Sequence, residues 1–170
     1  CLSEGLTITL KDTAVSVSYI HMTLEMMKEF VVHAQLMNDQ IIILSQPYLP
    51  KSFSVENDWS SATFFYCMAM LSPQIHLELD GLFETSLQGD SAIRLIAEDF
   101  GITSQFSDNK LIITRSSEIS EEISKEYNLN SYPDLAIPFI VACALRYPQV
   151  LISGIEHLEL KESKRITALT

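Results

Sequence analysis

The chain is poor in basic residues: 11 Lys and Arg stand against 22 Asp and Glu, a net charge of −11 in 170 residues. No basic stripe is available to neutralise phosphates along a strand, which excludes a nucleic-acid surface. No apolar run reaches the length of a membrane span, and nothing reads as a secretory leader. Cysteine is scarce: there are three, and none has a partner Cys or His at ligand spacing. That argues against a metal centre or a catalytic thiol and fits reduced packing residues of a cytoplasmic protein, since Cys67 and Cys143 sit inside apolar segments. The start at Cys1 without a Met reads as an internal start within a longer parent.

With 47% hydrophobic and 19% charged residues the composition is globular, and the length is enough to bury a sizeable core. Three of the scarce basic residues, Lys161, Lys164 and Arg165, are concentrated in five positions just where a helical pattern begins. Cations at a helix N-terminus make an anion site, because the free N–H groups there already favour negative charge. The acidic run Glu118, Glu121, Glu122 and Glu126 reads as a solvated face. The Met22, Met26, Met27 cluster and the Phe64-Phe65-Tyr66 run read as core.

The periodicities give an α/β (α+β) chain. Leu6 to Leu10 alternates as a strand, and Tyr19 to Phe30 has helical spacing. Val31 to Leu36 and Ile41 to Leu44 form a hairpin around Asn38-Asp39. Gln46 to Ser54, with Pro47 and Pro50, is a linker. Asp58 is a cap for a helix from Trp59 to Leu71, followed by a strand from Gln74 to Leu79 that Gly81 ends. A helix from Ser91 to Phe100 leads into a second hairpin, Ile102 to Phe106 and Leu111 to Thr114, around Asp108-Asn109. The polar stretch from Glu118 to Asn130 holds one short strand. Ser131 caps a helix to about Tyr147 that Pro138 weakens or kinks. Val150 to Ser153 is a strand, and a helix starts at Glu162.

The chain also resembles itself. Phe30-Val31-Val32, Asn38-Asp39 and Ile41-Ile42-Ile43 match Phe100-Gly101-Ile102, Asp108-Asn109 and Leu111-Ile112-Ile113 at a shift of 70. Trp59, Ser61 and Gly81-Leu82 match Tyr132, Asp134 and Gly154-Ile155 at a shift of 73. Each copy reads helix–strand–helix–strand–strand, with one more strand expected in front.

Five motifs in one order then carry a family resemblance: Val15-Ser16-Val17-Ser18-Tyr19-Ile20, Asp58-Trp59-Ser60-Ser61-Ala62, Ser86-Leu87-Gln88-Gly89-Asp90, Pro133-Asp134-Leu135-Ala136 and Lys161-Glu162-Ser163-Lys164-Arg165-Ile166. In order and spacing the chain resembles the middle of the 5-enolpyruvylshikimate-3-phosphate synthase (3-phosphoshikimate 1-carboxyvinyltransferase) family. The resemblance implies repeated βαβαββ units of an inside-out α/β barrel. Residues 1–50 would then finish the first domain with an incomplete unit, and residues 51–170 would supply about two units of the second. It implies transfer of the carboxyvinyl group of phosphoenolpyruvate to the 5-hydroxyl of shikimate 3-phosphate, in aromatic amino acid biosynthesis, with no metal or organic cofactor.

The same resemblance implies the site. Asp134 matches the proton acceptor, and Glu162 a phosphoenolpyruvate contact and candidate for proton transfer. Arg165 matches the Arg that grips phosphoenolpyruvate, a task suited to its bidentate fork. Lys161, Ser16, Tyr19 and His157 match substrate contacts, His157 standing equally as a solvated loop residue. The other copy has Ser61, Gln88, Gly89 and Ala92 where Asp134, Lys161, Glu162 and Arg165 stand, so the fold does not demand these charges. Departures occur at Val17, Ser18, His21, Glu159 and Lys164. They are the support for an alternative, a non-catalytic relative that keeps the scaffold for binding or assembly. A sibling transferase acting on a UDP-amino sugar lacks the Lys-Glu-Ser and Pro-Asp-Leu-Ala signatures. With the rest of the parent chain missing, the fragment alone is expected to be inactive.

Overall fold

Asn38 and the pair Asp108-Asn109 adopt left-handed backbone (φ 53, 52 and 61), the conformation that lets a two-residue turn follow the twist of a hairpin. The computed structural model describes residues 2–11, 14–115, 123–160 and 163–169. The chain divides into two compact units, Cys1–Val55 and Glu56–Thr170.

In the first unit, β1 (Leu6–Thr9), α1 (Val17–Glu29), β2 (Ala34–Met37) and β3 (Gln40–Ile43) form a helix and an antiparallel sheet of order β1-β3-β2. The helix begins two residues before the expected Tyr19, after Ser16 at φ 58. The hairpin begins later than expected, because Phe30 and Val31 (φ 66) close the helix by bonding back to its last carbonyls. Among the described residues Leu24, Val32 and Ala34 are the buried apolar ones of this unit, so its core is small, and the Met22, Met26 and Met27 side chains are only half-buried.

In the second unit, α2 (Trp59–Leu71) has the expected bounds, and Asp58 caps it by accepting from the Ser60 N–H at 2.9 Å. β4 (Ile75–Asp80), a 3-10 turn at Gly89–Ala92, α3 (Ile93–Glu98), β5 (Ile102–Ser107) and β6 (Lys110–Arg115) follow. Their sheet has the order β4-β6-β5, antiparallel throughout. The shift of 70 carries the second-strand pairing of one hairpin onto the other: Met37 faces Gln40, and Ser107 faces Lys110. β7 (Glu126–Asn128) and β8 (Leu151–Ser153) form a parallel pair joined through α4 (Ala136–Arg146). A second 3-10 segment, Glu156–Leu160, and the short α5 (Arg165–Leu169) complete the described chain.

α4 begins five residues after Ser131, with Leu135 at its cap position. Pro138 lies in its first turn, where the missing N–H has no helical partner to lose, so it neither kinks nor breaks the helix as expected. Gly81 (φ +73) and Gly154 (φ +71), 73 positions apart, each turn the chain against an asparagine pair member: a Cβ would fall 2.4 Å from Asn57 Nδ2 at Gly81 and 2.8 Å from Asn130 N at Gly154.

The core lies between α2, α4, α3 and the sheet, with Trp59, Tyr66, Phe100, Leu111, Ile113 and Phe139 fully buried. Phe100, Tyr127, Phe139 and Tyr147 form one aromatic cluster with ring centroids 4.8–5.9 Å apart. Cys67 and Cys143 are buried free thiols in α2 and α4. Burial pushes both up to about 12, so they remain protonated packing groups. Phe64 and Phe65 correct the expectation of a core run: they are 60% and 38% exposed, and only Tyr66 of the three is buried. Of the acidic run, Glu126 is exposed, whereas Glu118, Glu121 and Glu122 lie outside the described residues. Among the described residues no helix is long and apolar enough to cross a membrane.

Candidate active site

Two helix beginnings place the two charges of the site. Asp134 sits in the turn that opens α4, held by Leu135 N–H donating to Tyr132 O at 3.2 Å. A carboxylate here faces the positive end of an eleven-residue helix. Arg165 is the first residue of α5. α5 has five residues, too few for a substantial macrodipole, so its anion affinity rests on the guanidinium and not on the helix start proposed from sequence.

Asp134 and Arg165 line one cavity of about 420 Å³, together with Ser60 and Phe64 of α2, Ile137 and Pro138 of α4, and Ser163, Ala168 and Leu169. This volume is in the range of small-molecule sites. Its lining carries one carboxylate, one guanidinium and two serines, and the other lining residues are apolar. Such a pocket can fix an anion through Arg165 while Asp134 takes or gives a proton nearby.

α5 is itself anchored by Glu159. The Glu159 carboxylate accepts from Thr167 N–H at 3.0 Å and lies 3.5 Å from the Thr167 hydroxyl. It thereby satisfies an N–H of the first turn as a cap would, from outside the helix. The departure from the family pattern at Glu159 thus has a local structural use.

The remaining candidates fall elsewhere. Lys161 and Glu162 lie outside the described residues. His157 is buried, 8% exposed, in the Glu156–Leu160 segment and does not line the cavity, so it is not a solvated loop residue. Ser16 and Tyr19 belong to the first unit, Ser16 immediately before α1 and Tyr19 exposed in its first turn. Lys164 is exposed next to the cavity residues Ser163 and Arg165. Among the described residues no group of three or more His, Cys, Asp or Glu is placed to hold a metal ion.

Sequence reasoning missed the α2 wall. Ser60 follows a cap residue and so looks like part of the cap, and Phe64 lies in a helix that is apolar on every face. The network behind that wall is dense. Glu56 accepts from Trp59 Nε1–H at 2.6 Å, Phe83 N–H at 2.7 Å, Ser86 Oγ–H at 2.6 Å and Gln88 Nε2–H at 3.1 Å. The Gln88 amide also donates to Asn57 O at 2.7 Å and accepts from Trp59 N–H at 2.9 Å. The start of α2 is therefore tied to the 83–88 loop on both sides.

These features define an α/β chain with an anion-and-acid pocket at its helix openings. The family model for EPSP synthase (3-phosphoshikimate 1-carboxyvinyltransferase) matches residues 1–170, and the chain belongs to that family. A 3-phosphoshikimate 1-carboxyvinyltransferase of Bacteroides fragilis is 37% identical over 169 residues, which cover 99% of this chain and 41% of that protein. Proteins of the same name from Buchnera aphidicola and Methanothermobacter thermautotrophicus are each 28% identical, covering 37% and 39% of their own lengths. The chain thus spans about two fifths of the curated relatives it matches.

Proposed function

We propose that this chain is the central part of an enzyme that transfers the carboxyvinyl group of phosphoenolpyruvate to the 5-hydroxyl of shikimate 3-phosphate. The observation that carries the proposal is the shared cavity of Asp134 and Arg165, in a chain matched by the family model over its whole length.

In this reading Asp134 removes the proton of the 5-hydroxyl as its oxygen bonds to the substituted enol carbon. An acid, with Glu162 in that role, delivers a proton to the methylene carbon. Loss of a proton from the same carbon then expels phosphate and restores the double bond. Arg165 and Lys161 hold the anionic groups, and Ser16 and Tyr19 contribute further substrate contacts. Addition and elimination of this kind run on positioned acids and bases, so no metal or organic cofactor is invoked.

The internal repeat supports the role of the cation at position 161. Its counterpart is Gln88, which is engaged by Glu56, but the counterpart of Glu56 is the buried, apolar Leu129. The second copy has exchanged a carboxylate–amide lock for an apolar residue and a lysine.

The first unit is assigned to the end of the parent's N-terminal domain and the second to βαβαββ units of an inside-out α/β barrel, acting in the cytoplasm. The test is phosphate release and a carboxyvinyl ether product, read by mass spectrometry, from phosphoenolpyruvate and shikimate 3-phosphate. The full-length parent should give both, and the 170-residue chain alone neither. A parent with no such product would remove the proposal.

A further inference from the structure

Ser60 stands on the α2 side of the same cavity as Asp134 and Arg165, and its hydroxyl has a fixed polarity. The Asp58 carboxylate is 2.7 Å from Ser60 Oγ and 2.9 Å from Ser61 Oγ, and it also accepts the Ser60 N–H. Burial alone would raise the Asp58 carboxyl, but the hydroxyl and backbone bonds from Ser60 and Ser61 outweigh it and hold it below the usual range. An ionised carboxylate only accepts, so Ser60 must be the donor in that pair. With its proton given to Asp58, Ser60 Oγ offers only lone pairs to anything else.

We propose that Ser60 is a substrate-contacting residue that accepts a hydrogen bond from a hydroxyl of the hydroxylated, phosphate-bearing substrate, and that Asp58 is the positioning residue that sets its polarity. The inference rests on the functional reading above. An acceptor backed by a carboxylate repels a phosphate or carboxylate group and rewards an O–H donor. The cavity is then polarised: anionic groups turn to Arg165, and a hydroxyl turns to the α2 wall. The hydrogen bonds of Glu56 and Gln88 to the start of α2 keep that wall in place. Of the two substrates, phosphoenolpyruvate carries no alcohol, so the contact belongs to shikimate 3-phosphate.

The test is steady-state kinetics of the full-length parent carrying S60A, S60T, D58N or R165Q. One hydrogen bond lost from a binding contact corresponds to roughly a three- to tenfold effect. S60A should raise KM for shikimate 3-phosphate by that factor, with kcat and KM for phosphoenolpyruvate within about twofold of wild type. S60T keeps the hydroxyl and should restore most of the loss. D58N, whose amide can donate to Ser60 Oγ and occupy its lone pair, should raise the same KM without removing the serine. An effect of S60A on KM for phosphoenolpyruvate, or no effect on either KM, overturns the assignment. In the second case loss of activity in R165Q leaves the site reading standing, whereas wild-type activity in R165Q removes the site reading itself.

Discussion

Arg115 Nη2 donates to Tyr147 Oη at 2.7 Å, joining the last residue of β6 to the residue that ends α4. Both are buried. The other terminal nitrogen of Arg115 donates to the carbonyls of Ala69 and Ser72 at 2.8 Å and to that of Met70, and Tyr147 Oη donates to Met70 O at 3.2 Å. A guanidinium thus supports the C-terminal end of α2 beside its cap residue Ser72, sharing the Ala69 carbonyl with the Ser72 N–H and the Met70 carbonyl with Tyr147.

Removal of that support should destabilise the fold. Arg115→Met removes the donor of the Ser72 carbonyl and one of the two donors of the Ala69 and Met70 carbonyls, and we expect a loss of roughly 1–3 kcal/mol in urea unfolding of the chain. Tyr147→Phe deletes one partner of the cation and should cost roughly 1–3 kcal/mol. Unchanged unfolding midpoints would show that the support contributes nothing.

The two glycines of the repeat should differ in their tolerance of alanine. An alanine in left-handed backbone costs roughly 1–2 kcal/mol at either site. At Gly81 the further clash is with the Asn57 side chain, whose rotation also gives up its bond to Asp80 O. At Gly154 the added Cβ meets backbone, Asn130 N at 2.8 Å, as well as Asn128 Oδ1 at 2.3 Å. Backbone cannot step aside as a side chain can, so Gly154→Ala should be the more damaging of the two in denaturant unfolding. The opposite ranking would contradict the geometry.

Asp58 makes stability depend on acid pH. Its folded carboxyl lies below the ordinary 3.8, the Ser60 and Ser61 bonds exceeding the effect of burial. Its contribution is therefore complete above the unfolded value and is lost as pH falls through the folded value. Asp58→Asn retains a capping oxygen but not the charge. Thermal unfolding followed downward from about pH 7 should show a shallower acid decline for the variant than for wild type. Parallel curves would mean that the cap is not electrostatic.

Local chemistry made much of this architecture legible. Asp58 as a cap and the apolar spacing after it give α2 its observed bounds, and the Asn-Asp and Asp-Asn pairs place both hairpin turns. The start of α4 was misplaced because Ser131 looks like a cap, whereas the chain makes a further turn through Pro133 and Asp134 first. Phe64 was misassigned to the core because α2 is apolar on every side, so composition gives no sign of which face meets solvent. At the site, the chemical types of Asp134 and Arg165 were readable, but their common cavity depends on how α4 and α5 open in three dimensions. Ser60 carried no signal, since its place in the lining beside Asp134 and Arg165 depends on the packing of three separate elements.

The central claim is that the Asp134 carboxylate is the base in a pocket that Arg165 makes anion-binding. It is tested most directly by turnover and substrate binding of the full-length parent carrying Asp134→Ala. Loss of a general base should lower phosphate release by roughly 10²–10⁴-fold, while calorimetric binding of shikimate 3-phosphate stays within about tenfold of wild type. Wild-type phosphate release by this variant would contradict the account.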